Sequence, residues 1–203
     1  MLTVWGCEEH DVTFRDDSFD DKVVVLQPVE FQNETLIDSV KSAISRYYGY
    51  RIHVNESIQF PERAFVNVKS PRFRADTMLH AFSRGCPDSV AVILGVTNKD
   101  ISTTKRNPDG SVLEPKSRYE DWGVFGLGRR PGNASIISTF RVKGGSKLQI
   151  ERMQKIALHE LGYNLGLKHC PSEGCVMRDA AEKISTIDQV KAQLCENCLK
   201  EID

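Results

Sequence analysis

The chain has 203 residues, of which 40% are hydrophobic and 27% charged, as in a globular protein with a buried core. Its 28 acidic and 27 basic side chains leave a net charge of −1, which predicts no attraction to nucleic acid or to an anionic membrane surface. The apolar runs are too short to cross a bilayer, and no secretory signal pattern is visible. We therefore expect a soluble, cytoplasmic monomer.

The first quarter of the sequence predicts a strand, a helix and a second strand. The run 22–29 is rich in Val and Leu and reads as a buried strand. Asn33 is a suitable N-cap for the helix that follows, and Gly49 is a suitable stop. Residues 50–54 alternate like a short strand.

The next elements continue this alternation. Residues 75–83 predict a short helix, and residues 89–97 give the strongest strand signal in the chain. Segment 98–121 is polar and rich in turn residues, which predicts a long surface loop. Two further strands are expected at 123–128 and 134–142. Alternating strands and helices favour a mostly parallel sheet backed by helices.

Two helices and no strand are predicted after residue 145. The first covers about 147–165 and carries an apolar stripe. The second covers about 186–201, with Ser185 as its N-cap.

Cysteines cluster near the C-terminal end of the sequence. Four of the six lie within the last 34 residues, in a C-x4-C pair and a C-x2-C pair: Cys170, Cys175, Cys195 and Cys198. Two such pairs separated by a short segment match a closed, tetrahedral thiolate site for zinc. Cys7 and Cys86 have no partner at metal spacing, and we interpret them as incidental thiols.

The run HELGYNLGLKH, immediately before Cys170, has the spacing of a zinc-peptidase helix with one difference. In such helices, His159 and the residue at 163 would both face the metal, and Glu160 would lie beside them. Gly166 can turn the chain sharply, which would bring His169 back toward the same point. Position 163, however, is a tyrosine.

Together these residues resemble the archaemetzincin family. The family signature is H-E-x-x-H-x-x-G-x-x-H-C-x4-C-x-M-x17-C-x-x-C, and the chain matches every fixed position except the second histidine. Upstream, LGVTNKDI, GVFGLG and ASIISTFRVK resemble the strands that precede the active-site helix of the family. The resemblance covers roughly the last 115 residues, and segment 102–120 is longer than expected.

The resemblance implies a role for each matching residue. His159 and His169 would be ligands of a catalytic zinc, and Glu160 would be the general base. Met177 would form the Met-turn beneath that zinc, and the four clustered cysteines would hold a second, structural zinc. GVFGLG would be the edge strand along which an extended peptide pairs.

Tyr163 leaves three interpretations open. The catalytic metal is lost or weakly held, and the chain is a peptide-binding pseudo-protease. Alternatively, Tyr163 binds zinc as phenolate in a shifted geometry that leaves weak hydrolysis. The third interpretation is a laboratory change or a natural variant of an active parent. Because phenol must lose a proton that titrates at about 10, the first ranks above the second.

The resulting expectation is an α+β, metzincin-like fold in two parts. Residues 1–166 would form the metalloprotease subdomain with the active-site helix, and residues 167–203 a small helical subdomain held by the four-cysteine zinc. The expected function is a zinc-dependent metallopeptidase that hydrolyses peptide bonds, with a catalytic site impaired by Tyr163. The alternative is a catalytically inactive, zinc-stabilised peptide binder. The partners would be peptides or proteins.

Overall fold

The computed structural model describes residues 22–180 and 183–202, so Cys7 lies outside the described residues. Nine strands occur in the described part: β1 (Val23–Pro28), β2 (Ile52–Val54), β3 (Phe65–Asn67), β4 (Pro71–Arg74), β5 (Val90–Thr97), β6 (Ile101–Thr103), β7 (Trp122–Val124), β8 (Gly126–Gly128) and β9 (Ala134–Ser138). The α-helices are α1 (Glu34–Tyr48), α2 (Ala75–Arg84), α3 (Lys116–Tyr119), α4 (Ser146–Asn164), α5 (Ile184–Gln189) and α6 (Glu196–Leu199). A short 3-10 helix covers Glu62–Ala64.

The main sheet has five strands in the order β2-β1-β5-β9-β8. All neighbours are parallel except β8, which runs antiparallel to β9 at the edge. All six residues of β1 are buried, because helices cover both faces of a parallel sheet. The predicted α+β fold with a mostly parallel sheet is confirmed.

Helices α1 and α4 pack together on one face of the main sheet, and α2 lies against the other face. Helix α1 begins and ends as predicted. The Asn33 side chain accepts a hydrogen bond from the Leu36 N–H at 3.1 Å, and Gly49 ends the helix with a φ of 72°. Only glycine adopts that left-handed conformation without cost. Among the described residues, no helix is long and apolar enough to span a membrane.

A second sheet, of four strands in the order β3-β4-β6-β7, was not predicted. Strand β6 lies inside segment 98–121 and β7 follows the segment directly, so the prediction of a single long surface loop is wrong at the two ends of the segment. Residues 104–115 form no helix or strand and none of them is buried, as predicted. Within the segment, Lys105 and Tyr119 are joined by a backbone hydrogen bond of 2.9 Å, and α3 forms. The polar residues suggested solvent exposure, but Asp100 and Asp121 are buried because arginines from β4 pair with them.

Two strand boundaries also differ from the prediction. The strand predicted at 123–128 divides at Phe125, so that β7 belongs to the second sheet and β8 to the main sheet. The next strand ends at Ser138 rather than at Val142. There the Ser138 hydroxyl accepts a hydrogen bond from the Phe140 N–H, and Val142 closes a turn onto Thr139.

The predicted helix at 186–201 with Ser185 as N-cap is wrong. The chain forms two short helices, α5 and α6, because Val190 adopts an extended conformation with ψ of 156°. Backbone hydrogen bonds from Lys191 to Gly174 and from Val176 to Gln193 draw this linker against the preceding loop. Helical periodicity alone could not show this, since the competing hydrogen bonds come from residues outside the segment.

The residues after Leu167 do not have a separate core. Leu167, Val176 and Ile187 belong to the same buried cluster as Leu158 and Leu161 of α4. The division into subdomains at residue 166 stays a prediction.

Candidate active site and four-cysteine metal centre

Helix α4 carries three of the predicted site residues, His159, Glu160 and Tyr163, on its last two turns. Gly166 follows the helix with a φ of 100°, a left-handed conformation suited to glycine. The Gly166 N–H donates to the Tyr163 carbonyl at 2.9 Å, which closes the turn. The reversal returns His169 to α4, where the centroids of the two histidine rings lie 5.5 Å apart.

The orientation of the His159 ring is fixed by the loop that precedes Met177. His159 Nδ1 lies 2.8 Å from the Val176 carbonyl oxygen, which can only accept, so Nδ1 carries the proton. This leaves Nε2 as the nitrogen able to bind a metal, an arrangement typical of metal-ligating histidines. Burial lowers the pKa of His159, which favours the neutral imidazole.

The second imidazole is already engaged by the tyrosine. The Tyr163 hydroxyl is hydrogen-bonded to His169 Nε2. Asp179 Oδ2 lies 3.6 Å from Nδ1 of the same ring. The pKa of Tyr163 is raised mainly by burial and, to a smaller extent, by the nearby carboxylates of Glu160 and Asp179. The hydroxyl therefore keeps its proton.

These residues do not form a complete three-imidazole zinc site. A catalytic zinc is held by three protein ligands, and the third position here carries a protonated phenol. That phenol also occupies the free nitrogen of His169. Among the described residues, His159 and His169 are therefore not part of a three-ligand group of His, Cys, Asp or Glu.

Glu160 lies buried against the edge strand β8. Two glycines make room for it: a Cβ at Gly126 would stand 2.7 Å from Glu160 Oε1, and one at Gly128 would stand 3.0 Å from Oε2. Burial raises the pKa of Glu160 to about 8. The sequence analysis missed this role of the glycines, although their i, i+2 spacing, which places both on one face of a strand, could have indicated it.

Met177 packs against helix α4 at the residue before Tyr163, and its role as a Met-turn residue stays a prediction. Its sulfur approaches α4 at Gly162 so closely that a Cβ there would collide with it. Met177 is fully buried, and its carbonyl accepts a hydrogen bond from the Cys170 N–H at 2.9 Å. This bond ties Met177 to the first cysteine of the cluster. The contact between Gly162 and Met177 was not predicted.

A cleft of about 600 Å³ runs past these residues. Residues 122–128, which contain the edge strands β7 and β8, form one wall and are here named the rim segment. Helix α4 and the loop after Met177 form the other wall. Glu160, both histidines and Tyr163 all line the cleft.

The four clustered cysteines converge on one point. Their sulfur atoms lie within 4.8 Å of one another, with 3.7 Å between Cys170 and Cys195 and 3.7 Å between Cys175 and Cys198. Tetrahedral zinc with Zn–S bonds of about 2.3 Å requires sulfurs about 3.8 Å apart, whereas a disulfide requires about 2 Å. The geometry therefore fits a closed tetrathiolate zinc site.

The local structure favours thiolate at one member of this cluster. A hydrogen bond from the Cys198 backbone N–H lowers the pKa of Cys195 to about 6. Burial raises the pKa of both Cys175 and Cys198. These two buried thiols must lose their protons when a metal binds, so metal binding and proton release are linked.

The comparisons with known proteins agree with this arrangement. A family model described as Peptidase family M54 matches residues 22–203. The chain belongs to this family. It is 35% identical to the archaemetzincin of Archaeoglobus fulgidus over 180 residues, which cover 88% of this chain and 98% of the relative. The archaemetzincin resemblance is confirmed, and with it membership in a zinc metallopeptidase family.

Solved structures show the same fold. The archaemetzincin of Methanopyrus kandleri superimposes with a TM-score of 0.71 at 24% identity, covering 89% of this chain and 93% of that one. A zinc-dependent peptidase from Methanocorpusculum labreanum superimposes with a TM-score of 0.68 at 19% identity, covering 89% and 100%.

Proposed function

We propose that this chain binds extended peptides in its cleft, as an archaemetzincin whose catalytic zinc site is impaired by Tyr163. The observation that carries the proposal is the hydrogen bond between the Tyr163 hydroxyl and His169 Nε2. This hydrogen bond occupies the ligand nitrogen of His169. A second expected ligand is absent, because position 163 carries tyrosine in place of histidine. Zinc binding there would have to break this bond and deprotonate a phenol whose pKa is raised.

Peptide binding is supported by the rim segment. β8 is the last strand of the main sheet and pairs with β9 on one side only. An open edge strand beside a cleft can accept an extended peptide as an additional strand through backbone hydrogen bonds. Glu160 lies directly behind this strand, so it would face the backbone of a bound peptide.

Weak residual hydrolysis is the second candidate function. Two observations favour it: His159 is oriented by the Val176 carbonyl with Nε2 free, and Glu160 has a pKa of about 8. A carboxyl group that titrates near neutral pH is suited to exchange protons with a water molecule in the cleft. Zinc, where bound by an archaemetzincin, activates a water and polarises the peptide carbonyl.

Metal content and peptide cleavage of the unaltered chain and of Tyr163→His test the proposal. We expect one zinc per chain in the unaltered protein, at the four cysteines, and two in the variant. In Tyr163→His, the rate at which a fluorogenic peptide library is cleaved should rise by more than ~100-fold. Removing a residue that only hydrogen-bonds to a metal ligand lowers activity by up to ~100-fold, and here the ligand itself is restored. Tyr47→His, the same replacement on α1, is the matched control and should change neither quantity.

Two results would count against this. Two zincs and full activity in the unaltered chain would show that Tyr163 does not impair the site. A Tyr163→His variant that gains neither a second zinc nor activity would remove the assignment of His159 and His169 as ligands.

A further inference from the structure

An arginine network lies at the end of the cleft where the rim segment begins. Arg141, from the turn after β9, lines the cleft beside Gly123 of β7. Its guanidinium lies directly over Gly123, where any side chain larger than hydrogen would collide with it. This contact places a cation along the path that a peptide paired with the rim segment would follow.

The network holds Arg141 rigidly but does not use all of its donors. Arg141 Nε and Nη2 donate to the two carboxylate oxygens of Asp100 at 2.7 and 2.8 Å. Nη1 has no partner in the part of the chain that the structure describes. The Arg141 side chain is 30% exposed, so this remaining N–H edge is accessible from the cleft.

Asp100 does not fully neutralise Arg141, because it also serves a second arginine. Arg72 Nε donates to Asp100 Oδ2 at 2.8 Å, and Arg72 Nη1 donates to Asp121 Oδ2 at 3.0 Å. Arg74 also pairs with Asp121, so three guanidinium groups share two buried carboxylates. The acidic group that faces Arg74, Asp76, is half exposed and lies at the opposite end of the network from the cleft.

Arg141 and Glu160 contact different strands of the rim segment. Arg141 lies over Gly123 of β7, and Glu160 lies against Gly126 of β8, on the other side of Phe125, where the segment divides between the two sheets. A peptide that follows the rim segment past Glu160 would therefore meet Arg141 on the β7 side. A guanidinium with free, partly buried donors binds carboxylate more strongly than other groups.

We propose that Arg141 binds a carboxylate of the peptide, on the β7 side of the peptide bond that lies over Glu160. The carboxylate is either the side chain of Glu or Asp or the C-terminal carboxylate of a short peptide. This proposal rests on peptide binding in the cleft and adds a substrate class to it: peptides with an acidic group on one side. Arg141 would be a specificity-determining residue.

The test is a binding titration of the full-length, zinc-loaded chain with fluorescent peptides in matched pairs. One series has Glu or Gln at successive positions and an amidated C-terminus. The other series has Gln throughout and a free or amidated C-terminus. At one position, the acidic peptide should bind about tenfold more tightly than its neutral partner, typical of one charge-assisted hydrogen bond. The two series distinguish a side-chain carboxylate from a terminal one.

Two variants test whether the preference for acidic peptides depends on the unpaired N–H groups of Arg141. Arg141→Lys keeps a positive charge beside Asp100 but lacks the planar guanidinium. Gly123→Ala keeps residue 141 as arginine, but the added Cβ forces its guanidinium to move. Both should reduce the tenfold preference to less than about twofold, while neutral peptides bind as before. Lys143→Gln removes an exposed positive charge two residues away and should leave the preference intact.

The outcomes are distinguishable. If acidic and neutral peptides bind equally well at every position, the carboxylate site is wrong and peptide binding in the cleft stands. A preference that survives in both Arg141→Lys and Gly123→Ala assigns it to another cation, such as Arg178, and overturns the role of Arg141. If no peptide binds at all, both the carboxylate site and the proposed function are wrong.

Discussion

The two candidate metal centres are neighbours in the chain, and they differ in how completely their ligands are retained. His169 belongs to one and Cys170 to the other, and the Cys170 N–H donates to the carbonyl of Met177, which packs against α4. The four sulfurs converge with the spacing that tetrahedral zinc requires. At the histidine site, a phenol takes the place of one imidazole and engages another.

This difference predicts that a metal-stabilised fold and a metal-dependent activity can be separated in one chain. The four-cysteine centre joins the loop that carries Cys170 and Cys175 to the start of α6, which carries Cys195 and Cys198. We expect its metal to contribute to the folding of the tail. His159 lies on the long helix α4, which packs against α1 and β9, and His169 lies on the turn that follows this helix. We therefore expect the loss of a ligand there to cost function more than stability.

Breaking the cysteine centre should have the largest effect. Cys175→Ser, or removal of zinc by a chelator, should disorder the residues after Leu167, because structural zinc contributes on the order of 10 kcal/mol to folding. Limited proteolysis and hydrogen exchange would measure this as loss of protection in the tail. Cys86→Ser, a thiol outside the cluster, is the matched control. Unchanged protection of the tail in metal-free protein would contradict a folding role for this centre.

Replacing Glu160 should separate metal binding from catalysis at the histidine site. In the Tyr163→His background, Glu160→Gln removes the proton-exchanging group and leaves the ligands. Peptide hydrolysis should fall by ~100-fold or more while the content stays at two zincs per chain. Glu34→Gln, on the exposed first turn of α1, should change neither. Retained hydrolysis in Glu160→Gln would exclude Glu160 as the general base.

Filling the space beside Glu160 should have a smaller effect on the same step. Gly126→Ala, again with Tyr163→His, places a Cβ within 2.7 Å of Glu160 Oε1 and displaces the carboxyl group. We expect kcat to fall by ~10- to ~100-fold with a smaller change in KM. Gly145→Ala has no atom within 4 Å of its new Cβ and serves as control. Equal kcat in the two variants would show that Gly126 does not position Glu160.

The smallest effect is expected from an ion pair that ties the tail to α4 without metal. Arg152 donates to both oxygens of Asp188, each at 2.7 Å, and these bonds lower the pKa of Asp188. A lowered carboxyl pKa stabilises the fold above the unfolded value near 3.9 and loses that contribution as pH falls through the folded value.

Thermal unfolding followed between pH 3 and pH 7 measures this contribution. Asp188→Asn should lower Tm slightly at pH 7, and the difference from the unaltered chain should shrink as pH falls below the unfolded pKa near 3.9. Asp38→Asn on α1 is a matched control. A loss as large as that in Cys175→Ser would mean that the ion pair, rather than the cysteine centre, holds the tail.

Local patterns predicted the main elements well where one segment decides its own structure. Helix α1 has its cap at Asn33 and its stop at Gly49, and the Val-rich run at β1 is buried throughout. Prediction failed where distant residues compete. The polar segment after β5 is held by buried pairs with Arg72, and the tail helix is interrupted at Val190 by bonds to an earlier loop.

The sequence by itself determined the family and predicted the four-cysteine cluster, because cysteine spacing along the chain limits which side chains can reach one ion. It also showed that Tyr163 stands at a ligand position. Only the tertiary structure decided what the tyrosine does, since its contact with His169 depends on the turn at Gly166. Gly126 and Gly128 make room for Glu160, and Arg141 lines the cleft. These contacts join separate strands and helices, so the spacing of residues along the sequence does not predict them.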